Sequence, residues 1–208
     1  MTPGVYYAMP IITYLALLTT FSRGAYLMFL VSFLTLSILN KSLKLLVATI
    51  ILTTLLLLSF YIYQQTVAAP RNIDRTQSAT FRINTWQQGW NMFQKAPWLG
   101  VGYNAYRFAL IEYNLAPTDF TISHGGTSND SSLLFVLSTT GLIGLISYLI
   151  FLGLLYWRGY TNHLQQNPAG TIIVSGLTGL LTASFFSNNL FYPFILIWLV
   201  LLIAKLEK

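Results

Sequence analysis

Long apolar segments alternate with short polar breaks at both ends of the chain. The apolar runs cover Val5–Phe21, Ala25–Leu39, Leu45–Tyr63, Ser131–Trp157, Ala169–Ser187 and Leu190–Ala204. A membrane-spanning helix needs about 20 mostly apolar residues. The pattern therefore predicts an all-α integral membrane protein with about six transmembrane helices.

The middle of the chain is too polar to cross a membrane. The stretch from Gln64 to about Asn129 holds five of the eleven basic residues and three of the five acidic ones. We therefore expect three parts: transmembrane helices in residues 1–63, one large loop over 64–130, and transmembrane helices in 131–208.

The large loop is predicted to contain a helix of its own. Thr80–Lys95 carries aromatic residues near helical spacing, which is typical of an amphipathic helix lying on a membrane. Pro97 ends this helix, and Gly100 and Gly102 favour a tight turn after it.

Composition excludes several classes of protein. The chain is 55% hydrophobic and 8% charged, whereas a soluble domain carries about 25% charged residues. This excludes a soluble enzyme, and we expect no nucleic-acid partner. The absence of cysteine excludes disulfides, thiolate nucleophiles and cysteine-ligated metals. Because the two histidines and five carboxylates are scattered, we also expect no metal and no cofactor.

The basic residues predict an orientation. With six spans, one side holds Lys41, Lys44, Arg158, Lys205 and Lys208, and the short loops of the other side hold Arg23 alone. Basic residues near span ends mark the cytoplasm, and long loops cross regardless of charge. We therefore expect a multi-pass plasma-membrane protein whose large loop is extracytoplasmic.

Arg23 lies between two apolar runs, in Ser22-Arg23-Gly24. It is either an arginine that snorkels to the lipid headgroups or an anion clamp at a break between helices, with Gly24 at a tight bend. A guanidinium binds phosphate oxygens in a bidentate geometry that lysine cannot reproduce.

Arg82 falls in the first turn of the predicted loop helix. A helix N-terminus attracts anions through its free N–H groups and its dipole, so Arg82 there predicts a phosphate site. The alternative is an interfacial arginine beneath a belt of aromatic residues.

The end of the loop, His124 to Ser132, reads His-Gly-Gly-Thr-Ser-Asn-Asp-Ser-Ser. Asp130 is either the N-cap of the following helix or a general base for a sugar hydroxyl, and the two roles are compatible. His124 is either a solvated loop residue or the base. We favour Asp130 modestly, because it is tied to a helix start.

In this order, the motifs resemble the C-terminal half of the O-antigen ligase/polymerase superfamily of bacterial membrane proteins, whose full-length members have roughly twice as many spans. The segments that carry the resemblance are Thr20–Ala25, Arg82–Trp86, Pro97–Gly102, Asp130–Leu134 leading to Thr140–Gly144, and Asn189–Pro193.

The resemblance implies a membrane glycosyltransferase. Its members take a glycan from an undecaprenyl-diphosphate carrier on the outer face and pass it to a sugar, a lipid-anchored acceptor or a protein. They are thought to work without metal, with arginines, matched by Arg23 and Arg82, on the diphosphate.

The family's base is a histidine that commonly stands eleven residues before the glycine matched by Gly141, where this chain has Asp130. Either Asp130 replaces the histidine, His124 takes its place, or this member uses a different acceptor or is inactive. A transporter or flippase of lipid-linked glycans and an inactive membrane scaffold are the alternatives from other classes.

Overall fold

The computed structural model of the chain describes residues 3–68, 76–116 and 128–206, and its secondary structure there is helical. The helices are α1 (Pro3–Thr19), α2 (Arg23–Leu39), α3 (Leu43–Tyr63), α4 (Thr76–Lys95), α5 (Tyr106–Glu112), α6 (Ser132–Leu164), α7 (Pro168–Ser184) and α8 (Pro193–Leu206). A π-helical segment, Gln64–Ala68, continues α3 beyond the end expected from the sequence. The all-α class is confirmed.

Two stretches in the described part of the chain are long and apolar enough to cross a membrane, Leu43–Val67 and Ser132–Leu164. The other four predicted spans correspond to shorter apolar helices of 10–17 residues: Ala8–Thr19, Arg23–Leu39, Pro168–Ser184 and Pro193–Leu206. The count of six spans stays a prediction.

Polar residues at the predicted breaks start the next helix. The hydroxyls of Ser22 and Ser42 accept hydrogen bonds from the third residue after each, Ala25 and Leu45. The Asn167 side chain accepts a hydrogen bond from the N–H of Ala169, the second residue after it, at 3.0 Å. These caps satisfy N–H groups that a helix start leaves without partners.

Helix α7 is at the centre of the helical packing, since it contacts α2, α6 and α8. The largest core cluster joins α6, α7 and α8 through Leu152, Leu155, Ile173, Leu177, Leu180, Leu190, Leu199 and Leu202. Helix α4 packs against α6, where a second cluster forms around Met92, Tyr106, Ala109, Leu110 and Phe135.

Helix α6 is broken at Gly141, whose φ of 66° and ψ of −167° are not helical. The turn after α4 replaces the lost helical hydrogen bonds: Leu142 N–H donates to the Pro97 carbonyl and Gly102 N–H donates to the Thr139 carbonyl, both at 2.8 Å. A Cβ at residue 141 would lie 2.3 Å from the Trp98 carbonyl. Two motifs far apart in sequence therefore form one backbone joint.

Candidate active site

Helix α4 buries one side against the protein and exposes aromatic residues on another, which is compatible with the predicted amphipathic helix. Thr85, Gly89 and Met92 of α4 are buried, while Phe81 and Trp90 are exposed on the protein surface. The prediction of a helix here is confirmed, but its protein-facing side consists of small and flexible residues. The exposed aromatic side leaves room for contact with lipid.

Arg82 does not lie in the first turn of its helix. Helix α4 begins at Thr76, four residues earlier than predicted, so the free N–H groups of its N-terminus are a turn away from Arg82. The expectation that the helix start and Arg82 form one anion site is therefore wrong. The charge of Arg82 acts instead on side chains across the helix interface.

Asn129 fixes the end of the large loop against α4. It is 1% exposed, and its Nδ2 donates to the Thr85 carbonyl and, at 3.2 Å, to the Tyr106 hydroxyl. Its Oδ1 accepts from the Ser131 N–H at 2.9 Å. Because both its amide donors and its acceptor are engaged, Asn129 sets the backbone position of the next residue, Asp130.

The N-cap of α6 is Ser131, whose hydroxyl accepts from Leu134 N–H at 3.4 Å. Capping by Asp130, one of the two interpretations from the sequence, is therefore wrong. Aspartate and serine are about equally good caps, and here the second of the adjacent residues takes the position. The Asp130 carboxylate contacts α4 instead.

Where α4 packs against the start of α6, the Asp130 carboxyl forms a hydrogen bond with the Thr85 side chain and lies within range of the Arg82 charge. Burial raises the pKa of the Asp130 carboxyl, while the Arg82 charge and a hydrogen bond with the Thr85 side chain lower it, so the net shift is upward. The Thr85 hydroxyl also lies 2.9 Å from the Arg82 carbonyl oxygen. The junction thus joins a cation to a carboxylate that is a stronger base than an exposed aspartate.

The nearby Tyr106 hydroxyl stays protonated. Burial raises the pKa of Tyr106 to about 12, partly offset by its hydrogen bond with Asn129. The ring contacts Phe135 at a centroid distance of 5.5 Å. Tyr106 therefore supports the site as a neutral, packed residue.

Two cavities flank this junction. Arg82 lines a small, partly polar one of about 220 Å³, together with Ser22, Ser187, Asn189 and several apolar residues. One helical turn further along α4, Trp86 lines an apolar cavity of about 650 Å³ between α4, α6 and α7. Phe186 lines both cavities, so they meet along one wall.

Trp86 has a buried indole N–H without a hydrogen-bond partner in the described part of the chain. A buried polar group left without a partner costs about 1–3 kcal/mol. The N–H is thus an available donor on a residue that lines the apolar cavity.

Arg23 begins α2 and lines a third cavity, of about 310 Å³, between α2 and α3. The bend expected at Gly24 lies at Phe21 instead, whose φ is 45°, and Gly24 is inside the helix. The Phe21 ring stacks on Tyr63 at 4.0 Å. Arg23 and Arg82 therefore line different cavities, although the neighbours of Arg23 line the Arg82 cavity.

Two further predictions concern His124 and the expected absence of a metal site. His124 lies outside the described residues. Among those that the structure describes, no group of three or more histidine, cysteine, aspartate or glutamate side chains is arranged to hold a metal ion.

Apolar helices and a charged junction between them define the chain as a helical membrane protein with a candidate catalytic site. The family model for O-antigen ligase matches residues 8–149, roughly two thirds of the chain, and the chain belongs to this family. The family is one of bacterial membrane proteins, and membership implies an enzyme of the ligase or polymerase type. A search of curated proteins found no match.

The matched region includes Arg23, Arg82 and Asp130, together with the backbone joint at Gly141. It ends before Asn189–Pro193, so that part of the resemblance stays a prediction. Three residues of the junction were missed by sequence reasoning: Thr85, Asn129 and Tyr106. The spacing of the aromatic residues on α4 predicts the helix but not which of its other residues are buried.

Proposed function

We propose that this protein is a membrane glycosyltransferase that moves a glycan from an undecaprenyl-diphosphate carrier to a sugar, lipid or protein acceptor on the outer face of the plasma membrane. The observation that carries the proposal is the junction of Arg82 with Asp130. A cation suited to a leaving diphosphate lies near enough to act electrostatically on a base suited to an acceptor hydroxyl.

The two flanking cavities match the two ends of such a donor. The polar cavity of Arg82 suits a diphosphate, because a guanidinium donates two parallel hydrogen bonds to phosphate oxygens. The apolar cavity lined by Trp86 suits the prenyl chain attached to it. Their common wall at Phe186 allows one amphiphile to occupy both, and the buried Trp86 N–H is a free donor on the lining of the apolar cavity.

The reaction requires charge stabilisation on one side and proton removal on the other. The acceptor oxygen attacks the anomeric carbon while the bond from that carbon to the diphosphate oxygen breaks. The diphosphate leaves on its lipid and is stabilised by Arg82. The acceptor's proton passes to the Asp130 carboxylate. A single displacement of this kind inverts the anomeric configuration.

Donor binding prepares the base. The Arg82 charge lowers the pKa of Asp130 in the free protein. A bound diphosphate neutralises that charge and adds negative charge nearby, and both changes raise the pKa of the carboxyl further. Asp130 therefore becomes a stronger base when the donor is in place. His124 is the alternative base.

A transfer assay with a lipid-diphosphate glycan donor tests the proposal. Asp130→Asn keeps the shape of the side chain and removes the charge, so transfer should fall by about 10²–10⁴-fold. Arg82→Gln should also abolish most transfer. Glu112→Gln, at an exposed residue at the end of α5, is the matched control for removing a carboxylate and should leave transfer unchanged.

His124→Ala separates the two candidate bases. A mild effect supports Asp130, and a loss larger than that of Asp130→Asn assigns the base to His124. Near-normal transfer in both variants would contradict an active site in this loop.

A further inference from the structure

The surface beside the break in α6 is apolar, although it belongs to the large loop. Trp98 and Leu99, in the turn after α4, are 65% and 73% exposed. The backbone of this turn is tied to α6, because the Trp98 carbonyl accepts from the Ile143 N–H at 3.3 Å. We propose that the turn is a membrane anchor, whose Trp98 and Leu99 side chains insert into the lipid leaflet on the side of the large loop. The proposal requires α6 to span the membrane and does not depend on glycosyl transfer.

The two side chains extend the exposed apolar face of α6. Beyond the break, that face consists of residues that are 37–60% exposed: Leu142, Ile143, Ile146, Leu149, Ile150 and Leu154. Because α6 is long and apolar enough to cross a membrane, lipid chains cover this face when it does. The turn is hydrogen-bonded to the first residues of the same face, so the lipid that covers the face also reaches the turn.

The position of the break along α6 corresponds to the edge of a bilayer. As one straight helix, its 33 residues would measure about 50 Å, which exceeds a hydrocarbon core of about 30 Å. The segment from Gly141 to Trp157 contains no charged residue, and Arg158 follows it. This segment measures about 24 Å. With Arg158 at one boundary of the core, the break and its turn therefore lie close to the other boundary.

Two tryptophans mark these two boundaries. Trp157, which is 64% exposed, directly precedes Arg158. At the other end of the segment, the Trp98 backbone lies against Gly141. Tryptophan is enriched at both membrane–water interfaces, because its ring is apolar while its N–H is polar. A docked protein would not require this spacing, so it favours lipid as the occupant of the surface.

The backbone of the turn is suited to an apolar surrounding. Irregular backbone at the depth of a membrane is tolerated where the protein satisfies its polar groups. The Val101 N–H donates to the Ser138 carbonyl at 3.1 Å, and the Gly102 N–H also donates to α6. The carbonyls of Pro97 and Trp98 accept from N–H groups of α6 beyond the break. The turn can therefore face lipid without leaving these groups unpaired.

Spin labelling in vesicles of phosphatidylcholine and phosphatidylglycerol tests the proposal, because the chain has no cysteine of its own. A single nitroxide is attached at Leu99→Cys, at Ile150→Cys on the exposed face of α6, or at Glu112→Cys at the exposed end of α5. The measurement compares collision of each label with oxygen, which dissolves in hydrocarbon, and with a water-soluble nickel chelate. Oxygen should dominate for the Leu99 and Ile150 labels, and nickel should dominate for the Glu112 label.

The tryptophan fluorescence gives a second measurement on the native side chain. Lipids that carry a nitroxide near the headgroup should quench Trp98 more strongly than lipids with a nitroxide at the chain end. The difference between the wild type and Trp98→Phe isolates this contribution. Trp157→Phe is the matched control and should remove a component of the same depth.

The other outcomes overturn the proposal in distinguishable ways. A Leu99 label as accessible to nickel as the Glu112 label would place the turn in water. A Leu99 label shielded from both reagents would mean that protein covers the turn, and spectral broadening that disappears on dilution with unlabelled protein would identify a second copy of the chain. Dominance of nickel at Ile150 would mean that α6 does not span the membrane. None of these outcomes bears on transfer by Arg82 and Asp130, so a failure of the proposed function remains distinguishable.

Discussion

Gly89 and Asn129 are in direct contact across the junction of α4 with the end of the large loop. A Cβ at residue 89 would lie 2.6 Å from Asn129 Nδ2 and 3.4 Å from Asn129 Cγ. Only a residue without a side chain lets the Asn129 amide reach the carbonyl of Thr85 on the same helix. The position of Asp130 thus depends on a glycine that makes no contact with substrate in our proposal.

Gly89→Ala should destabilise the protein and reduce transfer. The added methyl group forces Asn129 away from α4, and overpacking of this kind costs about 1–3 kcal/mol. The thermal unfolding midpoint in detergent and the transfer rate should both fall. Gly153→Ala is the matched control: no atom lies within 4 Å of the added Cβ, and alanine favours a helix by about 1 kcal/mol.

A double variant identifies the cause. If the clash with Asn129 is responsible, Gly89→Ala should lower the thermal unfolding midpoint much less in an Asn129→Ala background, because the two changes are coupled. Equal costs in both backgrounds would mean that the methyl group acts elsewhere.

Asp130→Asn should remove activity without weakening the fold. The folded protein binds the Asp130 proton more tightly than an unfolded chain with the ordinary pKa of 3.8. This carboxyl therefore favours folding below that pH, and its contribution is lost as the pH rises through the raised pKa. At pH 7 the asparagine variant should unfold at the same or a higher temperature.

The stability difference between the two proteins should depend on pH. As the pH falls below the raised pKa of the Asp130 carboxyl, that group takes up its proton and the difference in unfolding temperature between Asp130→Asn and the wild type should shrink. A variant that unfolds well below the wild type at pH 7 would show that attraction to Arg82 outweighs the cost of burial.

Thr85→Val should shift the pH dependence of transfer. The Thr85 hydrogen bond lowers the pKa of Asp130, so its removal should raise that pKa. Because the base must be deprotonated, the acid limb of the rate profile should move to higher pH. Thr178→Val, whose hydroxyl donates to the Val174 carbonyl at 2.7 Å, is a control. A reduced rate with an unmoved acid limb would argue that Asp130 is not the titrating base.

The orientation can be tested directly, because the chain has no cysteine of its own. Thr118→Cys should react with an impermeant thiol reagent in intact cells, whereas Ser42→Cys should react only after the cells are opened. This follows from the basic residues expected on the cytoplasmic side. Reaction of Ser42→Cys alone in intact cells would reverse the orientation and move the proposed site to the cytoplasm.

Helix type and position were predictable because they depend on local pattern. The predicted run Leu45–Tyr63 lies within α3, and Ala25–Leu39 lies within α2. The end of the loop helix was also correct, since Pro97 follows closely on Lys95, the last residue of α4. Its start was wrong because Thr76–Ala79 has no apolar pattern of its own.

The geometry of the site depended on contacts that no local pattern reports. Asn129 meets Thr85 from 44 positions away in sequence, and neither residue type is unusual in its own segment. Arg82 and Asp130 could be selected as candidates from the sequence because charged residues are rare in this apolar chain. That Arg23 lines a different cavity depends on how α2 packs, and the sequence alone did not reveal it.

The break in α6 has a consequence for biogenesis. The turn Pro97–Gly102 is synthesised well before Ser138–Ile143, the segment that supplies its hydrogen-bond partners. Until that segment emerges, the backbone groups of the turn that bond to it have only water as a hydrogen-bond partner. The Pro97–Gly102 turn therefore reaches its final conformation only after Ser138–Ile143 has been synthesised, and a nascent chain stalled before Gly141 would carry an unassembled site.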